Sequence, residues 1–164
     1  MKPTLSPQRL HRKERTDGIR LILSNHKKEL PKVDLMRVTD PMCSRQWVTV
    51  SNEDKKIISV GRIEKRGMNK WAIRDLVTDN MYRENGIASE VVTRLVDKAV
   101  KGGARTIESE VSYDNVPVKK IFEKLGFKED ERRRNTNEMT HYVLHPSKIE
   151  KKTIKSYTPS LYRF

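Results

Sequence analysis

The stretch "YRENGIASEVVTRL", starting at Tyr82, sets Arg83, Gly86 and Ala88 directly before an amphipathic helix. Residue types in this order can hold phosphates. A helix N-terminus presents N–H groups without intrahelical partners and carries partial positive charge. Gly86 lets a ligand approach the backbone, and Arg83 adds a formal charge. Just upstream, "DLVT" ends a predicted strand and "DNMYRENG" forms the turn. A strand end, a loop and a helix start in this sequence suit a pyrophosphate. The same pattern also serves as an ordinary turn, and the flanking segments must separate the two.

Those segments organise as follows. "DGIRLILSNHKKEL", from Asp17, allows a short helix before Pro31. "KVDLMRVT" is ambiguous. "QWVTVSN" and "KKIISVGRIEK" read as strands around the turn "NEDK", and "WAIRDLVT" follows "RGMNK" as a third strand. Ile87, Val91, Leu95 and Ala99 then recur every four residues, with Ala88, Val92, Val96 and Val100 beside them, which makes a broad apolar helix face. Gly102 and Gly103 end that helix. "ARTIESEV" is a strand that follows the crossover and so runs parallel to the one before it. Asn115 caps a second helix with Pro117 in its first turn, and Val118, Ile121, Phe122 and Leu125 form its buried stripe. "GFKED" and "MTHYVLH" are the final strands. The fold class is therefore α/β (α+β), with a mixed sheet whose N-terminal half is antiparallel. The domain plan is a flexible basic arm over 1–16, one domain over 17–145 and a basic tail over 146–164.

A chain of 164 residues suits one domain with a real core. No apolar run is long enough to span a bilayer, and the basic N-terminus lacks the apolar segment of a secretory signal. A lone Cys43 fits a reducing cytoplasm. The four histidines show no metal-ligand spacing, so no metal is expected. Of the net charge of +13, residues 1–37 carry +6 and residues 145–164 carry +4. Basic ends suit a polyanionic partner such as a nucleic acid or a ribosome, or serve as solvated tails. Nothing here decides between monomer and dimer.

"LVTDNMYRENGIA" and "SEVSYDNVPVKKIFEKLGF" together resemble the GNAT family of N-acetyltransferases. That family shows a strand ending in an L-x-V-like triplet, then R-x-x-G-x-G/A, an L-E-V-like strand, an Asn and a helix ending Y-E-K-L-G-F. The corresponding residues here are Leu76-Val77-Thr78, then Arg83, Gly86 and Ala88, then Glu110-Val111, Asn115 and Phe122 through Phe127. The resemblance spans about residues 56–144 and implies a GNAT-like mixed sheet flanked by helices. It implies acetyl-CoA as donor, with Arg83, Glu84, Asn85, Gly86, Ile87 and Ala88 at the pyrophosphate. It also implies that Leu76, Val77 and Thr78 align the pantetheine arm and polarise the thioester carbonyl, and that Asn115 and Phe122 lie along the cofactor. Asn115 equally serves as a plain helix cap.

Acyl transfer to an amine needs the amine neutral, so a base or a water chain must take a proton. Glu110 matches the glutamate that serves as base in the family branch acting on protein N-termini. Glu108 shares its side of the strand, and Glu64 and Asp75 are further candidates. Many members carry a tyrosine where this chain has Phe122, and that tyrosine protonates the departing thiolate. Tyr113, Tyr82 or water can substitute, with Tyr113 nearest in sequence. The resemblance implies an enzyme whose acceptor is a primary amine on a macromolecule: a protein lysine, a protein N-terminus or an RNA-linked amine. The alternative is a non-catalytic acyl-CoA-binding or nucleic-acid-binding module on the same fold.

Overall fold

The computed structural model describes residues 10–30, 35–38, 46–133 and 138–148. Three α-helices, α1 (Arg12–Asn25), α2 (Ile87–Lys101) and α3 (Val116–Lys124), accompany six strands. The strands are β1 (Trp47–Ser51), β2 (Ile57–Lys65), β3 (Lys70–Thr78), β4 (Thr106–Ser112), β5 (Lys128–Glu129) and β6 (Met139–Leu144). They form one sheet in the order β1-β2-β3-β4-β6-β5. β1 pairs antiparallel with β2, β3 parallel with β4, and β6 antiparallel with both β4 and β5. The mixed sheet with a parallel crossover is as the sequence implies.

Backbone contacts divide the chain into two compact units. One lies within Met1–Arg62 and Asp75–Val91, the other within Ile63–Arg74 and Val92–Arg163. In the first, α1 buries Ile19, Ile22 and Leu23 in a cluster with Val38, Trp47, Ile57, Val60 and Val77. The helix begins at Arg12, five residues before the expected Asp17, so Arg12–Thr16 of the expected arm are helical. The cause is visible at its start. The Glu14 carboxylate accepts the His11 backbone N–H at 3.2 Å, which satisfies one end-of-helix donor. Arg15 donates to the Trp47 carbonyl and is largely buried, which lowers its pKa. The ambiguous "KVDLMRVT" contributes a short 3-10 turn at Leu35–Val38. The expected arm and tail otherwise fall mostly outside the described residues.

In the second unit, Val92, Leu95, Val96 and Ala99 of α2 are buried, as are Ile107 and Val111 of β4 and Tyr142 and Leu144 of β6. Val100, placed by periodicity beside the apolar face, is 41% exposed. Gly102 ends α2 against Trp71, where an added Cβ would lie 2.6 Å from Cζ2 of the indole. No residue with a side chain fits there unless the indole moves. β4 alternates cleanly: Ile107, Ser109 and Val111 are buried while Glu108 and Glu110 are half-buried on the opposite face. The β4–β6 register sets Glu110 directly opposite His141 and Glu108 opposite Val143. This register positions the charged side chains described next.

Candidate active site

Two groups of sequence-selected residues stand out, one in each unit. In the first unit, Leu76, Val77 and Thr78 end β3. The Ser59 hydroxyl donates to the Val77 carbonyl at 3.1 Å and lies 2.8 Å from the Thr78 hydroxyl. Asp75, just before them, has a left-handed backbone (φ 54), a conformation that costs energy for a non-glycine residue. Its carboxylate meets Arg62 Nε at 2.9 Å in a largely buried ion pair. Asp75 therefore anchors the strand and is not available as a base.

The turn after β3 is shaped by its own polar groups. Asp79 accepts the Met81 N–H at 3.1 Å and pairs with Lys56 at 3.1 Å. Burial alone would raise the Asp79 pKa, but these two partners outweigh it and lower it. Tyr82 is held through its hydroxyl by Asn52 at 3.1 Å. Glu84 and Gly86 both have positive φ, 65 and 77. Between them, Asn85 folds back and donates to the carbonyls of Tyr82 and Arg83. A Cβ placed on Gly86 would meet nothing within 4 Å. The space over Gly86 is thus open, and the first turn of α2 follows at Ile87. Backbone N–H groups turned by left-handed residues at a helix start form an anion-binding concavity.

Arg83 is placed differently from the sequence expectation of a free phosphate charge. Its Nη2 bonds both carboxylate oxygens of Glu29 at 2.8 Å, and its Nε donates to the Thr78 carbonyl at 3.2 Å. Burial would raise the Glu29 pKa, yet the hydrogen bonds and charges of Arg83 and His26 outweigh it and lower it. Arg83 therefore ties the turn to Glu29 and to the end of β3.

In the second unit, β3, β4 and β6 bring a row of charges together. Glu110 lies 3.6 Å from His141 Nδ1 through one oxygen and 4.0 Å from Arg74 through the other. Arg74 also meets Glu64 at 3.5 Å. Glu108 pairs with Lys70 at 2.8 Å and lies 3.9 Å from Arg133. A small cavity of about 20 Å³ opens among Arg74, Glu108, Glu110, Asp130, Arg133 and His141. Glu108 is thus closely paired with a cation, while these contacts of Glu64 and Glu110 are 3.5 Å or longer. Tyr113 is 62% exposed, with Lys119 Nζ 4.9 Å from its ring centroid. It lines a polar cavity of about 150 Å³ that His141 also borders.

Asn115 caps α3, accepting the Val118 N–H at 3.5 Å, so its helix-cap role is realised. Phe122 is 1% exposed, edge-on to Phe127 at 4.8 Å and stacked on Tyr142 at 5.8 Å. It is a core aromatic of the second unit. Tyr142 donates to Glu123 at 3.0 Å, and burial followed by that bond pushes its pKa up, away from an acid role. His141 was missed by the sequence reading. Only the strand register brings it to Glu110, and no motif marks it.

Among the described residues, no cluster of His, Cys, Asp and Glu could hold a metal, and no helix is long and apolar enough to cross a membrane. No curated protein matches the chain. Solved structures do. The NatC complex bound to Gag peptide and CoA aligns with a TM-score of 0.71 at 18% identity, covering 88% of this chain and 99% of that one. The acetyltransferase yncA from Salmonella typhimurium with acetyl-CoA gives 0.67 at 13%, covering 87% and 94%. N-acetylglutamate synthase from Neisseria gonorrhoeae with coenzyme A and N-acetyl-glutamate gives 0.67 at 13%, covering 88% of this chain and 36% of that one. These likenesses show the fold. The family model for "Acetyltransferase (GNAT) family" matches residues 19–127, most of the chain and all of the turn and strand residues discussed above as far as Phe127. By that match the chain belongs to the GNAT acetyltransferase family.

Proposed function

We propose that this protein moves an acetyl group from acetyl-CoA to a primary amine on a macromolecule. The observation that carries the reading is the open backbone over Gly86, with left-handed residues before a 15-residue helix. Acetyl-CoA supplies a thioester carbonyl as electrophile. The chain's part is to bind, orient and deprotonate. The turn Arg83–Ala88 takes the pyrophosphate through backbone N–H groups, and Glu29 keeps Arg83 in place. Val77 and Thr78 present the strand end along the pantetheine arm. Glu110 takes the proton of the attacking amine, directly or through one water. The new C–N bond forms as the C–S bond breaks, and the thiolate leaves with the electron pair.

A peptide beside CoA in the NatC complex supports a peptide amine as acceptor, and N-acetyl-glutamate in the synthase supports a small one. The basic ends favour the macromolecule. RNA or DNA binding that weakens steeply as salt rises would support a polyanionic partner. Phe122 favours a second reading, a non-catalytic acyl-CoA-binding module, because the buried phenyl ring has no proton to give.

One assay separates these readings. Free thiol is followed from acetyl-CoA with a free N-terminal peptide, an N-blocked lysine peptide, an amine-bearing RNA and free amino acids. Thiol release coupled to acetylation of a peptide or RNA amine is the expected outcome. Acetyl-CoA binding without transfer to any of them supports the module instead.

A further inference from the structure

We infer that His141 is a positioning residue for proton transfer, acting through Glu110. The inference rests on the acetyltransferase reading and adds a residue that reading does not contain. Three observations carry it. The antiparallel register sets His141 of β6 directly across from Glu110 of β4, so their side chains share a face. Nδ1 of His141 lies 3.6 Å from one Glu110 oxygen, while Arg74 lies 4.0 Å from the other. His141 is also nearly enclosed, with its side chain 11% exposed, while Glu110 is 29% exposed. The imidazole therefore has few other orientations to adopt, and it lies near the carboxylate oxygen that the guanidinium does not meet.

A separation of 3.6 Å is longer than a hydrogen bond. Catalytic contacts are commonly long before substrate arrives and tighten in the reacting complex. With the ring neutral and its proton on Nδ1, His141 donates toward Glu110 and fixes the carboxylate's orientation. A charged ring puts a second full positive charge beside the carboxylate. Since an opposite charge favours the ionised form, transfer of the amine proton to Glu110 is then opposed. Turnover should therefore be higher with the ring neutral than with it charged.

Among the described residues, further charged groups lie near His141 and Glu110. Arg74 on β3 reaches Glu110 and is itself held by Glu64. Lys119, Glu129, Asp130 and Arg133 border the cavity of about 150 Å³ next to His141, as does Tyr113.

The test uses the full chain, acetyl-CoA and the best acceptor of the thiol-release assay. Wild-type kcat/KM divided by that of His141→Asn, with the same acceptor, should rise about ten-fold or more from acid to neutral pH, since the ratio cancels the titration of the acceptor amine. His141→Asn keeps an N–H donor but cannot charge. It should retain most of the wild-type turnover at high pH and lose less of it in acid. His141→Ala, which loses the donor as well, should be slower at every pH. Glu110→Gln should lose about 10²-fold or more throughout. Nitrogen NMR of the imidazole in the free protein should show the neutral ring protonated at Nδ1, a readout that needs no acceptor.

The outcomes separate cleanly. A neutral ring protonated at Nε2 overturns the positioning role by itself. So does a wild-type pH profile in His141→Asn beside a dead Glu110→Gln enzyme. Wild-type turnover in Glu110→Gln removes the glutamate from the mechanism and His141 with it. No thiol release with any amine overturns the acetyltransferase reading as well.

Discussion

The turn at Arg83–Ala88 and the charged face of β4 and β6 present different atoms to their surroundings. The turn uses backbone. Two of its side chains are engaged by partners in the protein: Arg83 by Glu29 and Thr78, Asn85 by two carbonyls of the loop. What remains for a ligand is the open space over Gly86. The β4–β6 face uses side chains, and its backbone is consumed by the ladder from Ile107↔Leu144 to Ser112↔Met139. The difference teaches what each region tolerates. A backbone site is sensitive to any residue that alters φ, whatever its charge. A side-chain site is sensitive to charge and length, and it accepts isosteric changes without loss of shape.

Gly86 tests the backbone half with the largest effect. Gly86→Val should weaken acetyl-CoA roughly 10–100-fold, the loss of one or more charge-assisted hydrogen bonds to the pyrophosphate. Since φ is +77 there, any side chain also strains the turn. Gly86→Ala carries the same strain with less bulk. Equal losses in the two variants, measured by calorimetric titration with acetyl-CoA, would assign the effect to the backbone. A much larger loss in Gly86→Val would assign it to crowding of the ligand. Full affinity in a folded Gly86→Val protein would break the comparison.

Phe122 tests the side-chain half. The ring is enclosed by Phe127 and Tyr142. A hydroxyl added by Phe122→Tyr should cost about 1–3 kcal/mol if it finds no partner, read as a lower denaturation midpoint. An unchanged midpoint with faster turnover at high pH would mean that the hydroxyl reaches the leaving thiolate, as the family tyrosine does. The first result confines Phe122 to the core; the second restores it to the site.

Glu29 gives the smallest effect and links the turn to pH. Its folded pKa is held below the ordinary value of 4.5. A depressed carboxylate pKa contributes stability above the unfolded value, and that contribution is lost as pH falls through the folded value. Glu29 and Arg83 are both substantially exposed, so the contribution should stay under about 1 kcal/mol and shrink with salt. The stability difference between wild type and Glu29→Gln should be present near neutral pH and vanish on acidification below the folded pKa. Urea midpoints across that range check it. A difference that persists at low pH would mean that Glu29 acts through packing rather than charge.

The sequence determined what depends on neighbours along the chain. Ile87, Val91, Leu95 and Ala99 specify a helix because 3.6 residues per turn put them on one face, and all four are buried. The Arg83–Ala88 turn was legible for the same reason, since a glycine before a helix start is a local signal. Alternation in "TIESEVS" put Glu108 and Glu110 on one face of β4. The start of α1 was misplaced because the His11–Glu14 contact extends the helix through residues whose composition alone suggested an arm. Long-range pairing decided the rest. β6 enters the sheet between β4 and β5, and that insertion brings His141 to Glu110 across 31 residues of sequence. Glu29 meets Arg83 across 54 residues and takes up a charge that the sequence offered to phosphate. Neither partner carries a local mark, because a contact between distant residues follows from strand order and packing, not from spacing along the chain.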